Sequence, residues 1–328
     1  MGHTIGVDIG GTKVAGGVVD ETGHILARAR VETPAKDASA AEDAIVAVVE
    51  KLRGDFDIEA VGLGIAGFVD ESRSRVYFSP NLPDWHNEPV RDDVSRRVGL
   101  PVVVENDANA AAWGENRFGA GRDETDLVCV TVGTGIGGGI IIDARPLIGL
   151  DGTAGEIGHM TVDIDGPLCG DGMPGHAEAI GSGTAIAREG RALLDRGGSS
   201  VLADLAGSAE VDAALVARAA DQGDAACTEI LERAYEAVGA MCASLVNALN
   251  PEVIVLGGSI ADKRPRLHVV ARAEVDHRAF PAPAARVRIE PASFGDDVSL
   301  IGSLPIVNER LRDPAYRQRR SLSEGASR

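Results

Sequence analysis

A glycine-centred hairpin pattern occurs twice in this chain and constrains its fold more than any other feature. The first copy, at 6–20, reads GVDIGGTKVAGGVVD, with an apolar run on each side of a glycine turn. The second copy, at 129–143, reads CVTVGTGIGGGIIID and places Thr131 at the position of Asp8. Each copy is typical of two strands joined by a tight turn. The repetition predicts a duplicated α/β fold in which two glycine loops face one cleft.

Similar successions of helices and short strands follow both hairpins. Periodic apolar residues predict helices at 39–52, 89–98, 108–117, 184–195, 211–220, 225–248, 266–277 and 298–311. Short apolar runs predict strands at 60–65, 102–104, 253–256 and 287–289. Residues 77–85 are expected to form a Pro-rich loop, and Pro305 is expected to kink or restart the last helix.

These patterns divide the chain into two α/β domains and a tail. We expect a small domain at 1–112 plus 297–312 and a large domain at 113–296. A loop-rich insertion at 149–183 falls within the large domain, and the polar stretch 313–328 is expected to be a disordered tail.

The composition excludes several classes of protein. The formal charge is −18, so the surface should repel nucleic acid and anionic membranes. No apolar run reaches the ~18 residues of a membrane span, and a strand pattern begins close to Met1, which leaves no room for a signal peptide. Four cysteines without a CxxC pair are expected to be reduced thiols. We therefore expect a cytoplasmic protein.

The first glycine turn carries side chains that a turn alone does not require. A tight hairpin turn explains Gly10 and Gly11, since glycine adopts positive φ at little cost. It does not explain Asp8 at the end of a buried strand, or Thr12 and Lys13 at the tip. Backbone N–H groups with a hydroxyl and an ammonium form an anion-binding loop, and the carboxylate can hold Mg²⁺ through water.

The second glycine turn matches a dinucleotide fingerprint but lies in the wrong context for it. Gly133-Thr134-Gly135 begins a G-x-G-x-x-G pattern, which in dinucleotide-binding folds opens a helix. Here it opens the β-branched run 140–142, which predicts a strand. A second phosphate-binding hairpin fits better, and two such hairpins suit a nucleotide held between two lobes.

Asp107 is the candidate general base. It follows a short buried strand and begins a helix, where Asn106 or Asp107 could simply be the N-cap. One cap does not require the whole run Glu-Asn-Asp-Ala-Asn at 105–109. A carboxylate at a strand end that faces the cleft could accept a proton from a substrate hydroxyl.

The insertion contains four potential metal ligands within eighteen residues, His159, Cys169, Asp171 and His176. Two imidazoles, a thiolate and a carboxylate suit tetrahedral Zn²⁺. The alternative is a glycine-rich polar loop that merely exposes these residue types, and the spacing lacks the two paired ligands of common zinc motifs.

Together these stretches resemble the ROK family of sugar kinases and repressors, and within it the bacterial and archaeal ATP-dependent glucokinases. The resemblance covers about residues 4 to 311. It rests on Asp8-Ile9-Gly10-Gly11-Thr12-Lys13, Pro80-Asn81-Leu82-Pro83-Asp84-Trp85, Val104-Glu105-Asn106-Asp107-Ala108-Asn109-Ala110-Ala111, Gly133–Gly139, Gly155-Glu156-Ile157-Gly158-His159 and Gly257-Gly258.

The resemblance implies roles for these residues. The fold would be the duplicated, ribonuclease H-like fold of actin and hexokinase, with nucleotide and sugar in the cleft. Phosphates of ATP with Mg²⁺ would be held by the two hairpins, and adenosine would lie near Gly257 and Gly258. Asp107 would be the general base. The sugar hydroxyls would be contacted by Asn81, Asn106, Asp107, Glu156, His159 and Glu178.

The family's zinc motif, C-x-C-G-x-x-G-C-x-E preceded by a histidine, is altered in this chain. His159, Cys169 and Glu178 match it, whereas Asp171 and His176 stand where the family has cysteine. The resemblance favours a structural zinc site at His159, Cys169, Asp171 and His176, with a harder donor set than the usual one.

We therefore expect an ATP:hexose 6-phosphotransferase acting on glucose, in a family that is often dimeric. Fructose, mannose or N-acetylhexosamines could replace glucose, and polyphosphate could replace ATP. A sugar-sensing repressor is disfavoured, because the acidic chain begins with a strand instead of a helix-turn-helix. A chaperone-like or filament ATPase of the same fold is disfavoured by the sugar-contacting set.

Overall fold

The computed structural model of the chain describes residues 2–34, 38–54, 56–80 and 82–312, without the side chains of Ala38 and Arg312. The predicted sugar contact Asn81 and the predicted tail 313–328 lie outside the described residues.

The described chain divides into two compact units. One comprises the chain up to Thr125, Gly139–Gly155 and the segment from Asp296 onward; the other comprises Asp126–Gly138 and Glu156–Gly295. The predicted small domain falls within the first unit, and this unit also contains 113–125, 139–155 and Asp296, which the sequence prediction assigns to the large domain.

The helices and strands are as follows. The elements up to residue 118 are β1 (His3–Ile9), β2 (Lys13–Val19), β3 (Ile25–Glu32), α1 (Ala38–Arg53), β4 (Ile58–Ile65), β5 (Phe68–Val69), β6 (Val76–Phe78), β7 (His86–Glu88), α2 (Val90–Val98), β8 (Val102–Asn106) and α3 (Asp107–Phe118). Those between residues 127 and 206 are β9 (Leu127–Val132), β10 (Ile136–Ile142), β11 (Arg145–Pro146), α4 (Ala177–Gly181), α5 (Gly183–Asp195) and α6 (Ser200–Ala206). The remaining ones are α7 (Ala213–Asp221), α8 (Ala225–Leu249), β12 (Val253–Gly257), α9 (Arg266–Arg278), α10 (Pro281–Ala284), β13 (Arg288–Pro291) and α11 (Val298–Arg312). Short 3-10 helices occur at Ile157–His159 and Gly295–Asp297.

Two five-stranded sheets repeat one topology. The first has the order β3-β2-β1-β4-β8, and the second has the order β11-β10-β9-β12-β13. In the first sheet, β1 pairs antiparallel with β2 and parallel with β4, and β4 pairs parallel with β8. In the second, β12 pairs parallel with both β9 and β13. The equivalent orders confirm the duplication that the two hairpin patterns predict.

The core of the first unit forms where α1 and α11 pack against its sheet. Strand β1 contributes Ile5 and Val7, and α1 contributes Ile45 and Val48, all fully buried. Glycines let α11 approach the strands closely, because a Cβ at Gly62 would lie 2.6 Å from Cβ of Ser303. A Cβ at Gly64, near the carboxyl end of β4, would collide with Oγ of Ser299, so the start of α11 lies close to this end of the strands.

Helix α11 also packs directly against α3. A Cβ at Gly114 of α3 would lie 2.8 Å from the carbonyl oxygen of Val298, and a Cβ at Gly302 of α11 would collide with the carbonyl group of Ala110. Both helices therefore need glycine where their backbones meet.

We expect Gly302→Ala to destabilise the fold by about 3 kcal/mol or more, because the added methyl group meets backbone that a rotamer change cannot move. Urea unfolding followed by circular dichroism measures this loss. The half-buried Asn308, in the same helix, supplies the control Asn308→Ala, which should change stability by less than about 1 kcal/mol. Equal stabilities of the two variants would contradict the close packing.

Two local predictions hold only in part. Helix α11 runs through Pro305 without restarting, because Leu304 and Ile306 on either side are buried and their packing offsets one lost backbone hydrogen bond. The predicted loop is present at the described residues 79, 80 and 82–85, but residues 77 and 78 belong to β6, which pairs with β5 and β7 in a small sheet. Strands this short carry too few residues to show an alternating pattern.

Three of the cysteines are core residues of their helices and strands. Cys129, Cys227 and Cys242 are buried, and Cys169 of the insertion is buried as well. Among the described residues, no helix has both the length and the apolar character that crossing a membrane would require.

Candidate active site

The carboxyl ends of three parallel strands in the first unit bring two acidic side chains together. Asp8 of β1 is in register with Gly64 of β4, and Gly64 is in register with Glu105 of β8. A Cβ at Gly64 would lie 3.8 Å from Cα of Asp107, the residue that directly follows β8. The predicted metal-binding Asp8 and the predicted base Asp107 therefore share this edge of the sheet.

The surroundings of Asp8 favour its protonated form. Burial, followed by repulsion from Asp107, raises the pKa of Asp8 to about 6, although Lys13 acts in the opposite direction. A carboxylate whose ionised form is disfavoured in this way gains strongly from a nearby cation. The site can therefore accept a divalent ion or another positive group.

Asp107 lies at the first position of α3, and its neighbour caps the helix. The Asn106 side chain accepts hydrogen bonds from the backbone N–H groups of Ala108, at 2.9 Å, and Asn109, at 3.1 Å. Asp107 Oδ1 also accepts from the Ala108 N–H at 2.9 Å. Because Asn106 is the cap, Asp107 is not needed for that role, and burial raises the pKa of its carboxyl group.

The first glycine turn is closed by backbone hydrogen bonds. The Gly10 N–H donates to the Lys13 carbonyl at 3.0 Å, and the Thr33 hydroxyl donates to the Gly10 carbonyl at 2.7 Å. The Thr33 N–H donates to the Thr12 carbonyl at 3.1 Å, while the Thr12 side chain is exposed and Gly11 is half-buried. A rigid turn of this kind can present backbone and hydroxyl donors to an anion.

The second glycine turn is anchored on α5 in the second unit. The Gly133 carbonyl accepts from the Gly183 N–H at 2.8 Å. The Thr134 carbonyl accepts from the backbone N–H of Thr184 at 3.1 Å and from its hydroxyl at 2.9 Å. Thr134 itself is exposed, so the turn offers a fixed polar tip like that of the first hairpin.

Gly257 and Gly258 lie beside this second hairpin. Gly257 ends β12 and is in register with Thr131 of β9. Gly258 has a φ of 90°, and a Cβ there would lie 2.7 Å from backbone atoms of Val132. Only glycine fits at that position, so the close approach of the two backbones depends on it.

Glu178 of α4 binds the second glycine turn. Its Oε2 accepts from the Ile136 N–H at 2.7 Å, and a Cβ at Gly135 would lie 2.5 Å from the same oxygen. Its Oε1 lies 3.8 Å from Sγ of Cys169. Glu178 therefore links the glycine turn to the insertion that the sequence predicts to hold a metal.

The four predicted metal ligands do come together. His159 Nδ1 lies 2.9 Å from Asp171 Oδ2, 3.3 Å from His176 Nδ1 and 4.0 Å from Cys169 Sγ. His176 Nδ1 lies 3.2 Å from the same Asp171 oxygen. One donor atom from each of these four residues falls within 4.8 Å of all the others. The exposed Glu156 begins the turn that carries His159, whose N–H donates to the Glu156 carbonyl at 3.1 Å.

This cluster fits a tetrahedral cation site. Ligands around Zn²⁺ lie about 3.4 Å from one another when the metal bonds are near 2.1 Å, which is close to the spacing seen here. Burial raises the pKa of the Cys169 thiol, and a bound cation would favour its thiolate. The predicted donor set is therefore assembled by the fold rather than dispersed along the loop.

Comparison with known proteins places the chain in a family. The sequence model of the ROK family matches residues 4–310. The chain belongs to the ROK family. It is 45% identical over 267 residues to the glucokinase of Streptomyces coelicolor, a match that covers 80% of this chain and 84% of that protein. It is 37% identical over 311 residues to the glucokinase of Thermotoga maritima, with coverages of 94% and 98%.

A solved structure supports the same assignment. The ROK family glucokinase of Streptomyces griseus, crystallised with glucose and AMPPNP, matches with a TM-score of 0.81 and 40% identity, over 94% of this chain and all of that one. The predicted duplicated α/β fold of actin and hexokinase, and the predicted membership of the ROK family, are thereby confirmed.

Sequence reasoning missed one buried pair in this ROK protein. Arg73 is 0% exposed and Glu105 is 2% exposed, and Nη2 of Arg73 lies 3.1 Å from Oε1 of Glu105. Glu105 gives a signal in hindsight, because it is a charged residue that continues the buried run 102–104. Arg73 gives none, since it lies in the polar stretch 70–75.

The predicted site residues are distributed over both units. In the first unit, Asp8 lies near the carboxyl end of β1, and the first glycine turn joins β1 to β2. Asn106 ends β8, and Asp107 directly follows it. The second unit holds the second glycine turn, Gly257, Gly258 and the cluster with Glu178. Each unit thus presents a glycine turn and at least one acidic side chain.

Proposed function

We propose that this ROK protein is an ATP-dependent hexose kinase that converts glucose to glucose 6-phosphate. The observation that carries the proposal is Asp107, a carboxyl group of raised pKa that is held at the end of β8 on the same sheet edge as Asp8. The 45% identity with a glucokinase and the likeness to a glucokinase crystallised with glucose and AMPPNP support the choice of sugar and donor.

In the proposed reaction, the Asp107 carboxylate accepts the proton of the sugar 6-hydroxyl. The oxygen attacks the γ-phosphorus of ATP in line, a new O–P bond forms, and the bond to the β-phosphate oxygen breaks to release ADP. Lys13 and the N–H groups of the two glycine turns bind the phosphates. Mg²⁺, for which Asp8 is the proposed acidic group, would neutralise charge on the phosphate oxygens.

The remaining residues are assigned to the two substrates. Adenosine would lie against Gly257 and Gly258, and the phosphates against Gly10, Gly11, Thr12, Gly133, Thr134 and Gly135. The sugar hydroxyls would be bound by Asn81, Asn106, Asp107, Glu156, His159 and Glu178. In the described structure Glu178 already accepts a hydrogen bond from Ile136, so a sugar hydroxyl would share its carboxylate.

A coupled assay with a panel of sugars and donors tests the proposal. We expect phosphorylation of glucose by ATP to have the highest kcat/KM, with mannose, fructose and N-acetylhexosamines at least tenfold lower. Polyphosphate should be a poorer donor than ATP. Preference for another sugar would correct the substrate, and ATP turnover that no sugar stimulates would contradict a kinase.

The raised pKa of Asp8 gives a pH dependence. Because the carboxyl group protonates below about pH 6, affinity for Mg·AMPPNP should fall about tenfold for each pH unit below that value. Calorimetric titration from pH 8 to pH 5 measures this fall.

Asp8→Asn is the control for this titration. It should bind Mg·AMPPNP weakly throughout and show only the pH dependence of the nucleotide itself. The same decline in both proteins would contradict the role of Asp8.

We further propose that His159, Cys169, Asp171 and His176 bind a structural zinc ion. When bound, such an ion would cross-link the insertion, and Glu178, close to Cys169 at 3.8 Å, would be held through that cross-link against the second glycine turn. A homodimer, a cytoplasmic location and the lack of nucleic-acid or membrane partners stay predictions.

A further inference from the structure

The buried pair Arg73–Glu105 has no part in the proposed mechanism, yet Glu105 directly precedes Asn106 and Asp107 in the chain. A buried ion pair contributes little to stability compared with apolar residues of similar volume. Stability alone therefore does not explain why this pair lies behind the candidate catalytic residue. The hydrogen bonds that Arg73 and Glu105 make indicate another role for the pair.

Arg73 is held in place by a tight turn centred on Asp70. Asp70 Oδ1 accepts from the N–H groups of Ser74, at 2.6 Å, and Arg75, at 2.8 Å. The turn puts Arg73 at a φ of 54°, a conformation rare for a residue with a side chain. The guanidinium consequently points inward, where Nη1 donates to the carbonyl of Gly152 at 3.2 Å.

One oxygen of Glu105 connects Arg73 to the strand–helix junction. Oε1 of Glu105 accepts from the Asn106 N–H at 3.0 Å and from Nδ2 of Asn109 at 3.2 Å, and it lies 3.1 Å from Arg73 Nη2. This oxygen therefore fixes both the last residue of β8 and the first turn of α3. Asp107 lies between these two contacts, directly after Asn106.

The Asn106 side chain completes the fixation. Its Nδ2 donates to the Gly67 carbonyl at 3.1 Å, while its Oδ1 caps α3. With its N–H bound by Glu105, Asn106 is constrained at both its backbone and its side chain. The backbone of Asp107 has little freedom left, which fixes the direction of its Cα–Cβ bond, and its Oδ1 accepts from the Ala108 N–H.

We propose that Glu105 is a positioning residue for Asp107 and that Arg73 is the counter-ion that orients Glu105. The inference rests on the proposed role of Asp107 as general base. Misplacement of a catalytic group by about 1 Å can cost a hundredfold in rate. In this role Oε1 of Glu105 accepts the hydrogen bonds that fix the backbone around Asp107, and Arg73 balances the negative charge of the Glu105 carboxylate.

The test compares two double variants that both remove the buried charges. Arg73→Met/Glu105→Gln keeps an acceptor oxygen for the Asn106 N–H and the Asn109 amide, whereas Arg73→Met/Glu105→Leu removes it. We expect kcat of the Gln variant to exceed that of the Leu variant at least tenfold, with KM for ATP equal within threefold. If the Leu variant does not fold, Arg73→Met/Glu105→Met takes its place. A matched control, Arg75→Met, changes an exposed arginine of the same turn whose guanidinium donates to the Asn87 carbonyl at 2.9 Å, and kcat should stay within twofold of wild type.

Asp107→Asn separates positioning from packing. With no carboxylate to position, the Gln and Leu variants should differ less than twofold in residual rate when combined with Asp107→Asn. A tenfold difference that persists there, or equal kcat for Gln and Leu in the presence of Asp107, would overturn the inference. If Asp107→Asn alone keeps the wild-type kcat, the proposed base role fails instead, whatever the Glu105 variants show.

Discussion

Replacement of Asp107 by asparagine is expected to lower kcat for glucose phosphorylation by about three orders of magnitude, the usual range for loss of a general base. The amide has the shape of the carboxyl group and can accept the hydrogen bond that Ala108 donates to Asp107 Oδ1 at 2.9 Å. It cannot take the proton of the 6-hydroxyl. Steady-state kinetics give kcat, and calorimetry should show that glucose still binds with a Kd within about fivefold of wild type.

A second readout of the same variant checks the electrostatics of the site. Repulsion by Asp107 is one cause of the raised pKa of Asp8, so Asp107→Asn should move the acid limb of Mg·AMPPNP binding to lower pH. Retention of more than a tenth of the wild-type kcat would rule out the base role. Loss of glucose binding together with kcat would mean either that the sugar contact of Asp107 is lost or that the variant is unfolded, and a melting curve separates the two.

The second large effect concerns zinc. Protein purified without added metal is expected to contain about one zinc per chain, and Cys169→Ser to contain less than about a tenth of that, because the thiolate is the softest of the four donors. The loss should also raise KM for glucose at least tenfold, since His159 of the cluster and Glu178 beside it are proposed sugar contacts. Elemental analysis for zinc, iron and manganese, with kinetics on the same samples, measures both.

Cys227→Ala is the matched control for the zinc experiment. Cys227 is also buried, but it lies in α8 and belongs to no group of potential ligands among the described residues. Its zinc content should equal that of the wild type. A wild-type zinc content near zero, or an equal loss in the two variants, would contradict the site and leave the four side chains as a hydrogen-bonded cluster.

Much of the fold could be predicted because its signals are local. The β1–β2 hairpin requires only a glycine turn between two apolar runs, and the same is true of the second hairpin. Helix α8 follows from a long run of periodic apolar residues. Local patterns could not predict that α11 continues through Pro305. Packing of α11 against α3 and the sheet outweighs the tendency of proline to interrupt a helix.

The sequence proposes the residues of the candidate site one by one, but it does not predict the contacts between them. Asp107 and Asn106 carry a recognisable pattern at a strand end, and Asn106 proves to be the cap. The link from Glu178 to the second glycine turn joins positions 42 residues apart through one hydrogen bond to Ile136. Sequence spacing contains no information on such a contact, since it depends on where α4 packs.

The sequence by itself determined the duplication, the ROK family and the residue types that can do the chemistry. Each of these signals, a glycine turn, an apolar periodicity or an acidic residue at a strand end, is formed by residues that are close together in the chain. Tertiary structure alone decided what lies behind Asp107. Arg73 reaches Glu105 only because the Asp70 turn holds it at positive φ and the parallel pairing of β4 with β8 places Glu105 in the core. Buried charges depend on partners that are distant in the chain, so only the folded chain shows whether they are paired.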